Sequence, residues 1–331
     1  MAFPLATAIT TPPIWPTSSL SPVTPYSGTF IPEIWSSKLI EKFYASTVLA
    51  AISNTDYEGE IKSKGDKVII RTKPTITIKD YKADGALEFE RPSSNVIEML
   101  IDKGKYFNLI LDDVMEIQSD INMMNLWSDD AAQQFKLVVD REVLLSLIGK
   151  AAPTNRGLTA GAISLSINLG VTGTPVVIVP RNPTTGQIEV VDLIVRLGQA
   201  LDENNIPETG RWVVIPAWLS AQIKMSELRD ASLTGDGTSI LRNGRLGVVD
   251  RFTIYVSNLL PNGATPGSGL AAGEWIVFAG TSHALSFASQ INKVETMRSE
   301  HTFGQILRGL QVYGYSVLDG TALAQAVVKP G

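Results

Sequence analysis

The chain contains no cysteine. That excludes a disulfide framework, a thiolate zinc site, an iron–sulfur cluster and a cysteine nucleophile. Histidine is nearly absent too, with only His283 and His301, too few for a histidine-rich metal site. Charge is scarce: 18% of the residues are Asp, Glu, Lys or Arg, below the usual quarter. The balance is acidic, −5 over 331 residues, and basic residues never gather into a long cluster. A protein that reads nucleic-acid sequence concentrates Lys and Arg to displace counterions from phosphates, so that class is disfavoured. No apolar run approaches the ~18 residues of a membrane span. The first basic residue is Lys38, so no secretory signal is expected. These absences fit a chain made and used in a reducing cytosol, or in an assembly built there. The low charge also fits a surface partly hidden against copies of itself.

Hydrophobic residues make up 44% of the chain, enough for a sizeable core. Their distribution is uneven. Residues 1–32 hold seven of the 18 prolines. Proline fixes φ and removes a backbone donor, so an extended, partly polyproline II arm is predicted. Trp15, Tyr26 and Phe30 are too many large apolar groups for a solvated tail. An arm laid across a partner surface accounts for both. Residues 33–52 read as an amphipathic helix, with Ile34, Trp35, Leu39, Phe43, Val48 and Ile52 roughly at helical spacing.

Residues 56–105 contain ten acidic and ten basic residues, a charge-dense yet neutral stretch. Alternating strands are predicted at 68–73 and 75–79, with a returning strand at 96–101. Such a long hairpin has little hydrophobic backing, and a hairpin alone in water is marginal. It therefore needs another surface, and its mixed charges suggest a polar, self-complementary one. Residues 112–150 give the strongest helical pattern: Ser119 and Asp120 can cap it, and Met123, Trp127, Phe135, Val139 and Leu144 follow the 3.6 period. Gly149 and Pro153 end it. Further on, β-type runs are expected at 175–180, 211–216, 252–257, 274–280 and 295–300. Helices are expected at 189–205 and 217–228. Two last strands meet at Asp319-Gly320 within 308–330. The fold class is α+β, of mixed order and without a βαβ repeat.

No candidate for chemistry survives inspection. The glycine-rich loop 234–247 has Ile240 where a dinucleotide fingerprint needs its third glycine, and it follows a helix. The stretch 80–91 places Lys82 and Arg91 where a calcium loop needs oxygen ligands. Asp112-Asp113 and Asp129-Asp130 are sequence neighbours, which do not face each other on a helix; capping and solvation explain them. His283 reads as a structural histidine. No catalytic residue, cofactor or metal is expected.

The order of parts resembles a known family. The segments 30–72, 111–135, 211–219, 231–258 and 303–318 look like successive blocks of the major capsid proteins of tailed double-stranded DNA bacteriophages, in the same order. The resemblance implies the Hong Kong 97-like capsid fold. Residues 1–35 would be the N-terminal arm and 55–105 the extended E-loop hairpin. Residues 36–54, 106–154 and 291–318 would form the P domain, with a spine helix at about 119–150. Residues 155–290 and 319–331 would form the A domain.

The function implied is structural and not enzymatic. The chain would assemble with itself into hexamers and pentamers, forming an icosahedral shell around packaged DNA that it touches without reading. Inter-subunit contacts are expected from Trp15, Tyr26 and Phe30 of the arm. Others are expected from Lys62, Lys64, Arg71, Lys73, Glu88, Glu90 and Arg91 of the hairpin. With no long acidic helical stretch ahead of the arm, a separate scaffolding protein is implied. A portal and a cement protein are further partners, and no membrane is. The place is the virion capsid, assembled in the bacterial host cytoplasm. Two alternatives stay open: an encapsulin-type nanocompartment shell, marked by an enzyme cargo, and a small-molecule-binding α+β enzyme, marked by a deep pocket of converging titratable groups.

Overall fold

The computed structural model describes residues 45, 47–56, 67–71, 74, 76–80, 89–92, 96–113, 123–226, 247–300 and 303–331. The arm at 1–35 and most of the helix expected at 33–52 lie outside the described residues. So does nearly all of the loop 234–247. The elements are α1 (Leu49–Ile52), β1 (Lys67–Arg71), β2 (Val96–Leu100), β3 (Lys103–Asp112), α2 (Met123–Ser146), β4 (Val176–Val179) and β5 (Gln187–Glu189). Then come α3 (Val190–Glu203), β6 (Arg211–Ile215), α4 (Ala217–Met225), β7 (Val248–Val249) and β8 (Phe252–Val256). The chain ends in β9 (Trp275–Thr281), β10 (Leu285–Arg298), β11 (Gly304–Val317) and β12 (Leu323–Pro330).

Seven strands form a mixed sheet in the order β5-β4-β12-β9-β6-β8-β7. Its central strands are buried on both faces, so they read as unbroken apolar runs. All five residues of Arg211–Ile215 are buried. Side chains on a strand alternate between faces, and that alternation divides them between two cores. Val213 and Ile215 of β6, Val277 and Ala279 of β9, and Ala324, Ala326 and Val328 of β12 face one side. There they meet Leu193, Leu197 and Leu201 of α3 and Leu219 and Ile223 of α4. The opposite residues, Trp212 and Val214, Ile276 and Phe278, Leu323 and Val327, meet Val139, Val143 and Leu144 of α2, Leu147 just beyond its end, Ile52 of α1 and Tyr313 of β11.

Helix α3 buries Val190, Ile194, Leu197 and Leu201, the stripe its spacing predicts. Asp192 in its first turn favours the positive end of the helix dipole. β6 and β8 run parallel and adjacent, joined through α4. They make one βαβ crossover, a unit the sequence reading does not include. Arg211 is wholly buried, donating to the carbonyls of Ile206 at 2.5 Å and Pro207 at 2.9 Å and lying 2.7 Å from Asp202.

A second sheet is antiparallel, in the order β10-β11-β3. Strand β10 is far longer than the stretch 295–300 suggests. A register shift between Ser289 and Ile291 changes which residues face inward, so no single alternation runs its length. Strand β3 is absent from the sequence reading, although its burial alternates without a break. Strands β11 and β12 do meet at Asp319-Gly320, but they enter different sheets. Helix α2 ends where expected: Gly149 takes a φ of 73°, and its N–H donates to Gln325 at 2.8 Å.

The charge-dense region contains an antiparallel pair, β1 with β2. The strand expected at 75–79 does not form: 76–80 carries no regular structure, and Ile78 is 90% exposed. Thr77 instead bonds the Glu90 side chain, its N–H donating at 3.2 Å. Its apolar–polar alternation has no buried face to serve, and propensity alone does not hold a strand. The β1–β2 pair rests through Val68, Met99 and Ile101 on Ala288 and Val312. Gly314 makes that seat possible, since a Cβ there would stand 2.2 Å from the Leu100 carbonyl oxygen. Gly314→Val should therefore push the hairpin off its sheet and cost about 1–3 kcal/mol, read as a lowered Tm. An unchanged Tm would show that the hairpin does not pack as described.

Candidate assembly surface

Helix α2 lies on one face of the β10–β11–β3 sheet, and β3 carries the matching side chains. Lys105 and Phe107 stand opposite Gln311 and Gly309 of β11, on the face that also holds Tyr313. The Phe107 ring fills the space over Gly309, where a Cβ would come within 2.3 Å of it. It meets Phe135 of α2 edge-on, with centroids 5.3 Å apart at 61°, a preferred aromatic geometry.

Two carboxylates on α2 complete the clamp. Glu142 lies 2.7 Å from Lys105 Nζ and accepts from the Tyr313 hydroxyl at 3.0 Å. Partial burial works against its charge, but these bonds outweigh it and hold its pKa below the ordinary 4.5. Burial, then the Glu142 charge, raises the Tyr313 pKa. Asp140 is 4% exposed. Its Oδ2 accepts from the N–H of Val48 at 2.6 Å and of Leu49 at 3.4 Å, so it caps α1 from another helix and holds that segment against α2. Burial raises its pKa above the ordinary 3.8, partly offset by the two backbone bonds.

Among the described residues, the hairpin covers the sheet's other face only at one end. Beyond it, Ile110, Ile306 and Met297 form one apolar row across the strands, and Tyr106 and Leu310 form another. Between them Arg308 pairs with Glu295, which also binds Lys293 at 2.8 Å. Tyr106 is 79% exposed and Phe303, at the tip, 81%. The second edge of β3 has no strand beside it among the described residues. A groove of about 580 Å³ runs between that edge and α2, lined by Tyr106, Phe107, Leu109, Trp127, Phe135 and Val138. Contiguous exposed apolar surface of this kind marks interaction sites.

Of the expected contact residues, Trp15, Tyr26, Phe30, Lys62, Lys64, Lys73 and Glu88 lie outside the described residues. Arg71, Glu90 and Arg91 are described, and all three are exposed. Arg71 ends β1, opposite Val96; Glu90 is engaged by Thr77. The sequence reading misses Tyr106, Ile110 and Leu310, although the alternation of 103–112 carries their signal. Asp113 is ion-paired with Arg298, a role beyond the capping and solvation expected of it. His283 is exposed in the turn after β9, so no buried structural role falls to it. Among the described residues, no three His, Cys, Asp or Glu side chains are grouped to hold a metal ion.

The two α2 carboxylates pull in opposite directions with pH. The folded pKa of Asp140 is raised, so its site stabilises most fully below 3.8 and loses that as pH rises through the raised value. The folded pKa of Glu142 is depressed, so its contribution is present above 4.5 and lost as pH falls through the lowered value. Asp140→Asn keeps an acceptor for Val48 and removes the buried charge. Its Tm at neutral pH should stay near the parent's, whereas Asp140→Ala should cost about 1–3 kcal/mol. Equal losses in both variants would contradict the capping role.

The arrangement has counterparts among known proteins. A chain from Mycobacterium phage Che8 superposes with a TM-score of 0.70 at 28% identity, covering 90% of this chain and 97% of that one. The capsid structure of cyanophage P-SCSP1u gives 0.68 at 14% identity, covering 95% and 99%. The capsid of a native GTA particle gives 0.61 at 13% identity, covering 92% and 97%. A comparison with curated protein sequences finds no match. The family model described as phage capsid protein matches residues 98–327, from within β2 into β12, and so takes in α2 and most of both large sheets and both cores. With more than half of its length inside that family model, the chain belongs to the phage capsid proteins, a structural major capsid protein of the virion shell.

Proposed function

We propose that copies of this chain close into an icosahedral shell of hexamers and pentamers around packaged double-stranded DNA. The observation that carries this reading is the exposed apolar outer face of the β10–β11–β3 sheet, joined to a hairpin that among the described residues is seated on it through Val68, Met99 and Ile101. An isolated subunit would leave both in water; a neighbour would cover them. In this reading 1–35 is the arm and 55–105 the E-loop hairpin. The P domain comprises 36–54, 106–154 and 291–318, with α2 inside the spine helix. The A domain comprises 155–290 and 319–331. Sheet membership favours moving one boundary, because 290/291 cuts β10, whereas the turn between β9 and β10 separates the two sheets.

Arg71, Glu90 and Arg91 would pair across subunits, with the other expected hairpin and arm residues beside them. Single exposed pairs are worth about 0–1 kcal/mol, but a shell repeats them many times. The same reading assigns a separate scaffolding protein, a portal and a cement protein as partners, and the host cytoplasm as the place of assembly. A net charge of −5 suits an inner wall that lies against DNA without binding it tightly. Electron microscopy of the purified chain, with scaffold supplied, tests this. Closed shells are expected, with loss or weakening of shells when 60–100 is deleted. Soluble monomers from the intact chain would contradict the shell, and unaltered shells from the deletion would contradict the hairpin's part in it.

A further inference from the structure

We propose that Arg251 latches the β7–β8 turn shut, so that β7 keeps covering an edge of β8 that would otherwise pair with a strand of another molecule. Val249 stands opposite Phe252, so Asp250 and Arg251 alone form the loop. Both are left-handed, with φ of 45° and 66°. Two-residue hairpin loops take this conformation, which is why they favour Asn-Gly or Asp-Gly. Asp250 suits the first position. Arg251 stands where glycine is preferred and bears the Cβ crowding that glycine avoids. A residue in such a conformation persists only where its surroundings hold it.

The surroundings of Arg251 do so. Its guanidinium lies 2.9 Å from Asp202 of α3 and 2.7 Å from Glu208. The other oxygen of Asp202 lies 2.7 Å from Arg211, whose side chain is wholly buried. That buried guanidinium sits 6.0 Å from the ring centre of Phe252, the first residue of β8. Taking the carboxylate from a buried guanidinium is costly, so Asp202 is anchored to the core and gives Arg251 a fixed post. Gly198 of α3 leaves room for the turn on the other side: a Cβ there would come within 2.9 Å of the Asp250 carboxylate. Among the described residues β7 is the last strand of the seven-stranded sheet, and it has only two residues, Val248 and Val249. So short a strand depends on its turn. Next to β7, the Ile254 N–H donates to the Gly247 carbonyl at 3.3 Å. An open turn would free that group and bare the five-residue edge of β8, and unpaired edges template pairing with other chains.

Hydrogen exchange on the full chain, read residue by residue, tests this. The Ile254 amide reports the turn. The Val214 amide, on β6 between β8 and β9, reports global opening. Arg251→Ala loses the ion pairs and keeps the strain, so Ile254 should exchange at least about tenfold faster while Val214 does not change. Arg251→Gly loses the ion pairs and the strain together, so Ile254 should stay near the parent's rate. The Ala variant should also lose soluble protein to aggregates, and the Gly variant should not. Equal exchange of Ile254 in the parent and the Ala variant would overturn the latch. So would equal acceleration at Val214, since the turn would then not open by itself. A Gly variant as fast as the Ala variant would overturn the strain that the latch opposes. Faster exchange at Ile254 without aggregation would overturn the guarding of the edge.

Discussion

The structure depends on the alternation of side chains along β6, β9 and β12. Each strand gives one set of residues to the core beneath α3 and α4 and the other to the core beneath α2. A one-residue slip in any of them would exchange the two sets: Trp212 would take the place of Val213, and Phe278 that of Ala279. Neither core has room for that exchange at the packing density of a protein interior. The register of three strands thus fixes both cores together and fastens α2 to the seven-stranded sheet.

Because α2 is fixed by that core, it can clamp the second sheet. Phe135, Asp140 and Glu142 project from it to Phe107, to the α1 backbone, and to Lys105 and Tyr313. What the clamp does not cover is the outer face of the β10–β11–β3 sheet, the free edge of β3 and the charge-dense hairpin. A capsid protein needs that division: a body that keeps its shape, and a periphery that is stable only against copies of itself. With no cysteine in the chain, no disulfide joins those copies.

The sequence foretold most where periodicity and burial agree. The stripe of α3, the unbroken apolar run of β6 and the end of α2 at Gly149 all followed from spacing and composition. Three other features escaped for identifiable reasons. Strand β3 follows a charge-rich stretch and carries lysines among its apolar residues, so its alternation reads as part of the hairpin. Strand β10 carries an irregularity at Ser289/Ile291 that shifts its phase. The run at 75–79 alternates as a strand should, but no surface takes its apolar side. The exposed apolar face containing Tyr106 and Leu310 could not be read at all without the pairing of β3 with β11, because its residues come from strands about 200 positions apart in sequence. Family resemblance named the parts, but not which of their faces stand open.

Native-state hydrogen exchange with increasing denaturant tests the central claim most directly, that one strand register holds both cores as a single body. Amides of Trp212–Ile215 in β6, Ile276–Ala279 in β9 and Val143–Leu147 near the end of α2 should share one opening free energy, equal to that of global unfolding. The hairpin amides around Val96–Leu100 should open below it. If α2 instead exchanged through its own lower-energy opening while β6 and β9 stayed protected, the shared core would not bind the two halves, and the account would fail.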